Sequence, residues 1–295
     1  MTANELFTII AQISGVLGIV CSMLAMGLGL TLAQIVQPLK NARLVVLALL
    51  ANFVLVPLLA FVITLIIPLD QSLKIGLIVL ATCAGAPFLV LEAQGAKANL
   101  GVAVGVMTLL MVVTIFYLPV VLPLLLVGVE VDAASIARSL IVLMLIPLIL
   151  GLLIKSNSPD TAKNWQPVMN KIGGLGILIL LVVGLGLNLS NVISLIGTGG
   201  FLALLLFIVI SLFIGFAAGG RDPGVRNVMG LGTAQRNVSA AILITLQNFS
   251  GTMAVPYVLV AAILIPLILL STARWLGRRS EAEAPAVLPA APPAS

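Results

Sequence analysis

The chain has 295 residues, of which 61% are hydrophobic and only 8% are charged, and it has no histidine. Soluble domains carry about 25% charged residues, so this composition, with a mean hydropathy of +1.30, excludes a water-clothed globule and places the chain in a bilayer. The net charge of +5 is scattered over short loops, which argues against nucleic acid as a partner, and the lack of histidine excludes a His-anchored haem.

A helix needs roughly 20 apolar residues to cross a bilayer. Nine segments qualify, at about 7–36, 41–68, 73–95, 99–127, 134–155, 168–190, 198–220, 225–248 and 251–276. The runs are long and continuous and lack the alternation of a membrane barrel, so the predicted fold is an all-α integral membrane protein with about nine transmembrane helices. The first segment opens on Glu5 without a basic residue and is too long for a signal peptide, so none is expected. It ends on MGLGLTL at 26–32, and the second contains NFVLVPLLAF at 52–61. The third, TCAGAPFLVLEAQGAKAN at 82–99, has Gly85 and Pro87 at its centre and Glu92 beyond them. The sixth contains VGLGLNL at 183–189. The eighth, GLGTAQRNVSAAILITLQN at 230–248, is the most polar run inside any apolar segment. Trp165, Tyr117 and Tyr257 sit near predicted span ends and suit interfacial anchoring. Residues 281–295, rich in Pro and Ala, read as a disordered cytoplasmic tail.

Basic loop residues fall mainly on one side of a nine-helix alternation: Lys40, Arg43, Lys97, Lys155, Lys163, Lys171, Arg221, Arg226, Arg274, Arg278 and Arg279. The other side has Lys74 and Arg138, with Glu5, Asp70, Glu130 and Asp132. The positive-inside rule then predicts an outside N-terminus and a cytoplasmic C-terminus. Short loops favour a cell inner (plasma) membrane as the location.

MGLGLTL and VGLGLNL each sit late in an apolar span, and the loops that follow fall on opposite sides. This suggests inverted repeats, the first at about 7–127 and the second at about 134–276, in one transmembrane domain covering residues 1–280. Such a plan predicts a discontinuous helix in each half, with breaks at Gly85 and Pro87 and at Gly230 and Gly232. Gly and Pro also occur in unbroken membrane helices, so packing remains the competing explanation.

Charges within spans are rare and usually face a bundle interior or a water path. Arg236 falls near mid-depth and must be compensated by a carboxylate, backbone carbonyls, water or an anionic substrate, whose carboxylate its planar donor fork suits. Glu92 pairs with Arg236, titrates to couple transport to protons, or marks a helix end at the water interface; the sequence leaves all three open. Thr233, Gln235, Asn237 and Ser239 join these two as candidates along a substrate or ion pathway, or else glue helices together. Thr31, Gln34, Asn52, Thr108, Thr114, Asn188 and Asn191 are weaker candidates for a cavity lining.

The ordered motifs MGLGLTL, NFVLVPLLAF, CAGAP at 83–87, AKAN at 96–99 and GTAQRNVSAA at 232–241 resemble the bile acid:sodium symporter superfamily over about residues 15–277, as a divergent prokaryotic member. The resemblance implies panel and core domains, two crossing discontinuous helices, and secondary active transport of a small organic anion by alternating access, often with sodium. It also shows departures. Side-chain oxygens expected near Leu89 and Val90 are missing, an expected glutamate is Gly232, and an expected glutamine is Arg236, while Asn237 is kept. A guanidinium in that place would repel sodium. A weak sodium site near Thr233, Gln235 and Asn237 therefore stands beside proton-coupled or uncoupled transport, and beside a membrane ligand-binding protein that moves nothing. No enzyme constellation, cofactor or obligate protein partner is expected; the partners expected are a small organic anion and membrane lipid.

Overall fold

Helix is the only regular structure among the described residues, as hydrocarbon demands of a backbone with no water to pair its polar groups. The computed structural model describes residues 3–126, 129 and 132–283. In chain order the helices are α1 (Ala3–Gly29), α2 (Leu32–Leu39), α3 (Ala42–Leu50), α4 (Val56–Ile66), α5 (Gln71–Thr82), α6 (Phe88–Gly95), α7 (Leu100–Leu125) and α8 (Ala133–Leu140). Then follow α9 (Ile146–Asn157), α10 (Pro159–Leu187), α11 (Leu189–Ser194), α12 (Gly200–Ala218), α13 (Pro223–Ala234), α14 (Val238–Asn248) and α15 (Ala254–Glu283).

Seven unbroken helical stretches are long and apolar enough to cross a membrane: Glu5–Gly29, Ala42–Ile66, Leu100–Leu125, Ala133–Asn157, Pro159–Leu187, Gly200–Ala218 and Ala254–Ser280. Of the nine expected spans, these seven qualify by length and composition. The predicted segments at 73–95 and 225–248 are each split into two short helices, α5 with α6 and α13 with α14, so neither is a span by length alone. Glu130 lies outside the described residues, and so does the predicted tail beyond residue 283; residues 281–283 end α15.

Two of the long stretches contain a single π-helical turn, Ala51–Leu55 between α3 and α4 and Ile141–Leu145 between α8 and α9. Each lies just before a proline, Pro57 or Pro147. Proline has no N–H and its ring clashes with the carbonyl four residues back; the wider turn relieves that clash. The Phe53 carbonyl, which Pro57 cannot pair, instead accepts from the Tyr117 hydroxyl at 2.7 Å.

Helices α1, α9 and α10 pack against one another, while α5, α7, α13 and α15 pack in a second group with α4, α6, α12 and α14 around them. Backbones meet within the first group. A Cβ on Gly176 of α10 would lie 2.6 Å from the Ser14 carbonyl oxygen, and one on Gly27 would run into the Leu148 carbonyl oxygen. This close approach through small residues is the usual way membrane helices gain dispersion contact. In MGLGLTL, Gly27 therefore serves the α1–α9 contact. Tyr257 is not an interfacial anchor: it is fully buried and donates to the Gly200 carbonyl at 3.0 Å, tying α15 to α12.

Candidate functional site

Helix α5 stops at Thr82 because the next residues cannot continue it. Gly85 has a φ of +76°, a conformation that favours glycine, and Pro87 stands at the start of α6. Thr114 on α7 holds the unwound segment from the side. Its hydroxyl accepts from the Ala84 N–H at 3.1 Å and donates to the Ala84 carbonyl at 3.0 Å. Thr114→Val keeps the shape but strips both partners, each worth about 1–3 kcal/mol when left buried and unpaired. The variant should melt well below wild type in detergent, as followed by circular dichroism.

The second break spans Gln235 to Asn237, between α13 and α14. Gln235 is extended, and the Asn237 side chain caps α14 by accepting from the Ala240 N–H at 3.1 Å. Its Nδ2 donates to the Gly85 carbonyl at 3.0 Å, and its backbone N–H donates to the Cys83 carbonyl at 2.9 Å. The two unwound segments therefore touch. Gly230 and Gly232 are not at this break: both lie inside α13, where they admit Phe216 and Leu89.

Arg236 sits at the crossing with no exposed surface. Its Nε donates to the Leu80 carbonyl at 3.2 Å and its Nη2 to the Ala81 carbonyl at 2.8 Å. Its Nη1 donates to the Thr233 carbonyl and to Asn52 Oδ1, both at 2.9 Å. Three of these acceptors are carbonyls from the last turns of α5 and α13, the negative ends of two helix dipoles. Carbonyl oxygens, rather than a carboxylate, compensate the guanidinium. Neither a Glu92–Arg236 ion pair nor a guanidinium open to substrate is found.

Asn52, only a weak candidate by sequence, is a direct partner of Arg236. It is held by donating from Nδ2 to the Ala48 carbonyl at 3.0 Å and to Thr233 Oγ1 at 3.3 Å. The clue available beforehand was an amide five residues before a proline in an apolar span. Glu92 does not reach a water interface either. It is fully buried in α6, and neither carboxyl oxygen has a hydrogen-bond partner. Ser239 is half-buried in the first turn of α14.

The oxygens near the expected weak sodium site are largely committed. Thr233 Oγ1 and Asn237 Oδ1 already accept hydrogen bonds, while Gln235 donates from Nε2 to the Arg236 carbonyl at 3.3 Å and leaves only Oε1 without a donor. One free amide oxygen beside a buried guanidinium does not fit a hard cation that takes several oxygens. Among the described residues no cluster of three or more His, Cys, Asp or Glu side chains is placed to hold a metal.

A cavity of about 350 Å³ opens elsewhere, between α1, α10, α14 and α15, at the end of the molecule where α1 begins. Thr8, Gln12, Asn188, Asn191, Ser250 and Thr252 give it hydroxyl and amide groups, and no charged side chain lines it. The first turn of α15 borders it, with the Thr252 hydroxyl accepting from the Ala254 N–H at 3.3 Å. Of these polar residues, only Asn188 and Asn191 were among the sequence candidates. Thr252 lies just before α15, where polarity alone carries no signal, and Gln12 is a single amide within the apolar α1.

The description "Sodium Bile acid symporter family" belongs to the family model that matches residues 16–195. That range holds the first break but not the second. A probable sodium/metabolite cotransporter, BASS3, chloroplastic, of Arabidopsis thaliana is 22% identical over 241 residues, 79% of this chain and 56% of that protein. A probable sodium/metabolite cotransporter, BASS2, chloroplastic, of Oryza sativa subsp. japonica is 30% identical over 166 residues, 56% of this chain and 39% of that protein. The matched stretches thus span about half of these curated relatives or less.

Proposed function

Because the chain belongs to the sodium bile acid symporter family, a family of secondary transporters rather than enzymes, we propose that it moves a small organic anion by alternating access with Arg236 in the place of a coupling sodium. The observation that carries this reading is the set of four hydrogen bonds from the Arg236 guanidinium to oxygens of two broken helices. A sodium ion would draw on the same kind of oxygens at such a crossing. A tethered cation neutralises the helix ends without ever dissociating, so no ion gradient can act through it.

In this reading α5–α6 and α13–α14 each make one further crossing, for nine in all. The N-terminus is outside, the C-terminus cytoplasmic, and the membrane is the plasma membrane. The repeats run from about 7–127 and 134–276. Helices α1, α8, α9 and α10 form the panel, and the remaining spans form the core. The cavity beside α1 is then an outward-facing substrate site at the panel–core boundary. Its amides and hydroxyls donate to the anion, and the positive end of the α15 dipole supplies the attraction that no side chain there provides. Gln235, Asn237, Thr233 and Ser239 act in the hinge at the crossing rather than on substrate.

The test is uptake of radiolabelled taurocholate, pyruvate and pantoate into proteoliposomes, with sodium or potassium outside. Saturable uptake that is indifferent to the cation is expected. Uptake that requires sodium would overturn the tethered-cation reading, and saturable binding without uptake would make the protein a receptor.

A further inference from the structure

Among the described residues Glu92 is the one acidic side chain buried within the packed helices, and the scheme above gives it nothing to do. Both oxygens lack a hydrogen-bond partner and the residue has no exposed surface. No cation faces it among the described side chains. Its helix, α6, packs on α7, α13 and α15. The only titratable side chain of α7 is Tyr117, which is spent on the Phe53 carbonyl. Arg226 is the only charged residue of α13, and it is exposed in the first turn. Helix α15 meets Gly95 of α6 with Ala273 and Gly277, while Arg274, Arg278 and Arg279 are exposed, Arg279 lying 5.8 Å from the centre of the Trp275 ring. Tyr257, near the other end of α15, is bonded to Gly200. Lys97, just beyond α6, is exposed. Arg236 points its donors at α5, α13 and Asn52.

A carboxylate without donor or counter-charge in such a place is strongly disfavoured, whereas the neutral acid is tolerated. A buried acid without a hydrogen-bond partner holds α6 through no polar contact. We propose that Glu92 is a proton-binding site, loaded in this conformation, whose release of the proton is linked to the movement that carries the substrate. This rests on the transport reading above and names its coupling ion. An O–H bond forms on the carboxyl group with a proton from water on one side of the membrane. It breaks to give the proton to water on the other side, and no electrons move. Exchange cannot occur while α7, α13 and α15 enclose Glu92, so it belongs to another conformation. That exclusivity makes proton and substrate movements interdependent. Helix α6 is suited to the change. It is eight residues long, and it hangs between the unwound segment at 83–87 and a turn in which Lys97 has a φ of 52°.

The test compares wild type with Glu92→Gln, which keeps shape and polarity but cannot exchange a proton. With taurocholate, pyruvate or pantoate as probe, an acid-outside gradient should speed wild-type uptake several-fold. The variant should lose that acceleration while keeping exchange of labelled for unlabelled probe. An equal response to the gradient in both proteins would overturn the proposal. Infrared difference spectra at neutral pH give a readout that needs no substrate: a protonated-carboxyl band in wild type that is missing from Glu92→Gln supports the site, and its absence from wild type refutes it. If wild type exchanges none of the probes, the transport reading fails, and the infrared band alone decides the site. Glu92→Met should melt at or above the wild-type temperature, since a structural role is what would lower it.

Discussion

Arg236→Met should remove most of the stability of this protein and all of its uptake. Methionine fills much of the space but donates nothing. The carbonyls of Ala81 and Thr233 and the Oδ1 of Asn52 would then be left without the donor that now satisfies them, while the Leu80 carbonyl would keep only the Cys83 N–H at 3.2 Å. Each buried acceptor left unpaired costs about 1–3 kcal/mol. Three such losses, about 3–9 kcal/mol together, are comparable with the whole stability of a marginal protein, about 5–15 kcal/mol. Arg236→Lys should recover only part, because one ammonium cannot present a planar fork to acceptors on two helices and an asparagine. The sharper form of the prediction uses Arg236→Ala, which leaves a space bordered by four oxygens. Added sodium should raise the melting temperature of that variant and leave wild type unchanged. Thermal melts of the detergent-solubilised proteins at fixed ionic strength, with sodium exchanged for choline, decide it. A melt of Arg236→Ala that ignores sodium would show that the guanidinium is a strut and not a stand-in for an ion.

Composition and long apolar runs were enough to place this chain in a membrane as a bundle of helices, because hydrocarbon leaves so few alternatives. The first broken helix was readable from Gly85 and Pro87, which interrupt a helix by covalent geometry. The second was misplaced onto Gly230 and Gly232. Those glycines serve packing inside α13, and the true break at Gln235–Asn237 contains neither Gly nor Pro. It exists because Asn237 caps the next helix and reaches Gly85, while Arg236 pulls toward the end of α5, and such tertiary contacts leave no local pattern. The partners of Arg236 were hidden for the same reason. Three are backbone carbonyls, which every residue has, and Asn52 lies 184 positions away in the chain. Carboxylates are the partners that a sequence displays most plainly, and that visibility is what suggested Glu92. The charge is met instead by helix ends, whose positions are known only once the chain is folded.

Gly85→Ala should be the most damaging single-methyl change in the molecule. The added Cβ would overlap the Met111 amide nitrogen and lie 2.7 Å from the Leu110 carbonyl carbon, so rigid α7 backbone would have to give way. The positive φ adds about 1–2 kcal/mol for a residue with a Cβ, and overpacking of this kind adds about 1–3 kcal/mol. A total of roughly 2–5 kcal/mol follows from those two contributions. The damage would also spread, because the Gly85 carbonyl accepts from Asn237 and Thr114 grips Ala84 beside it. Shifting that peptide loosens both unwound segments at once, and uptake should fall even in protein that still folds. Gly232→Ala is the control. Its Cβ would meet the Leu89 Cδ2 at 2.8 Å, the end of a flexible side chain, within a helix of ordinary geometry. A modest loss of stability with uptake retained is expected there. If the two variants melted and transported alike, the crossing would be held by general helix packing, and the contact between the two breaks would not be what fixes its geometry.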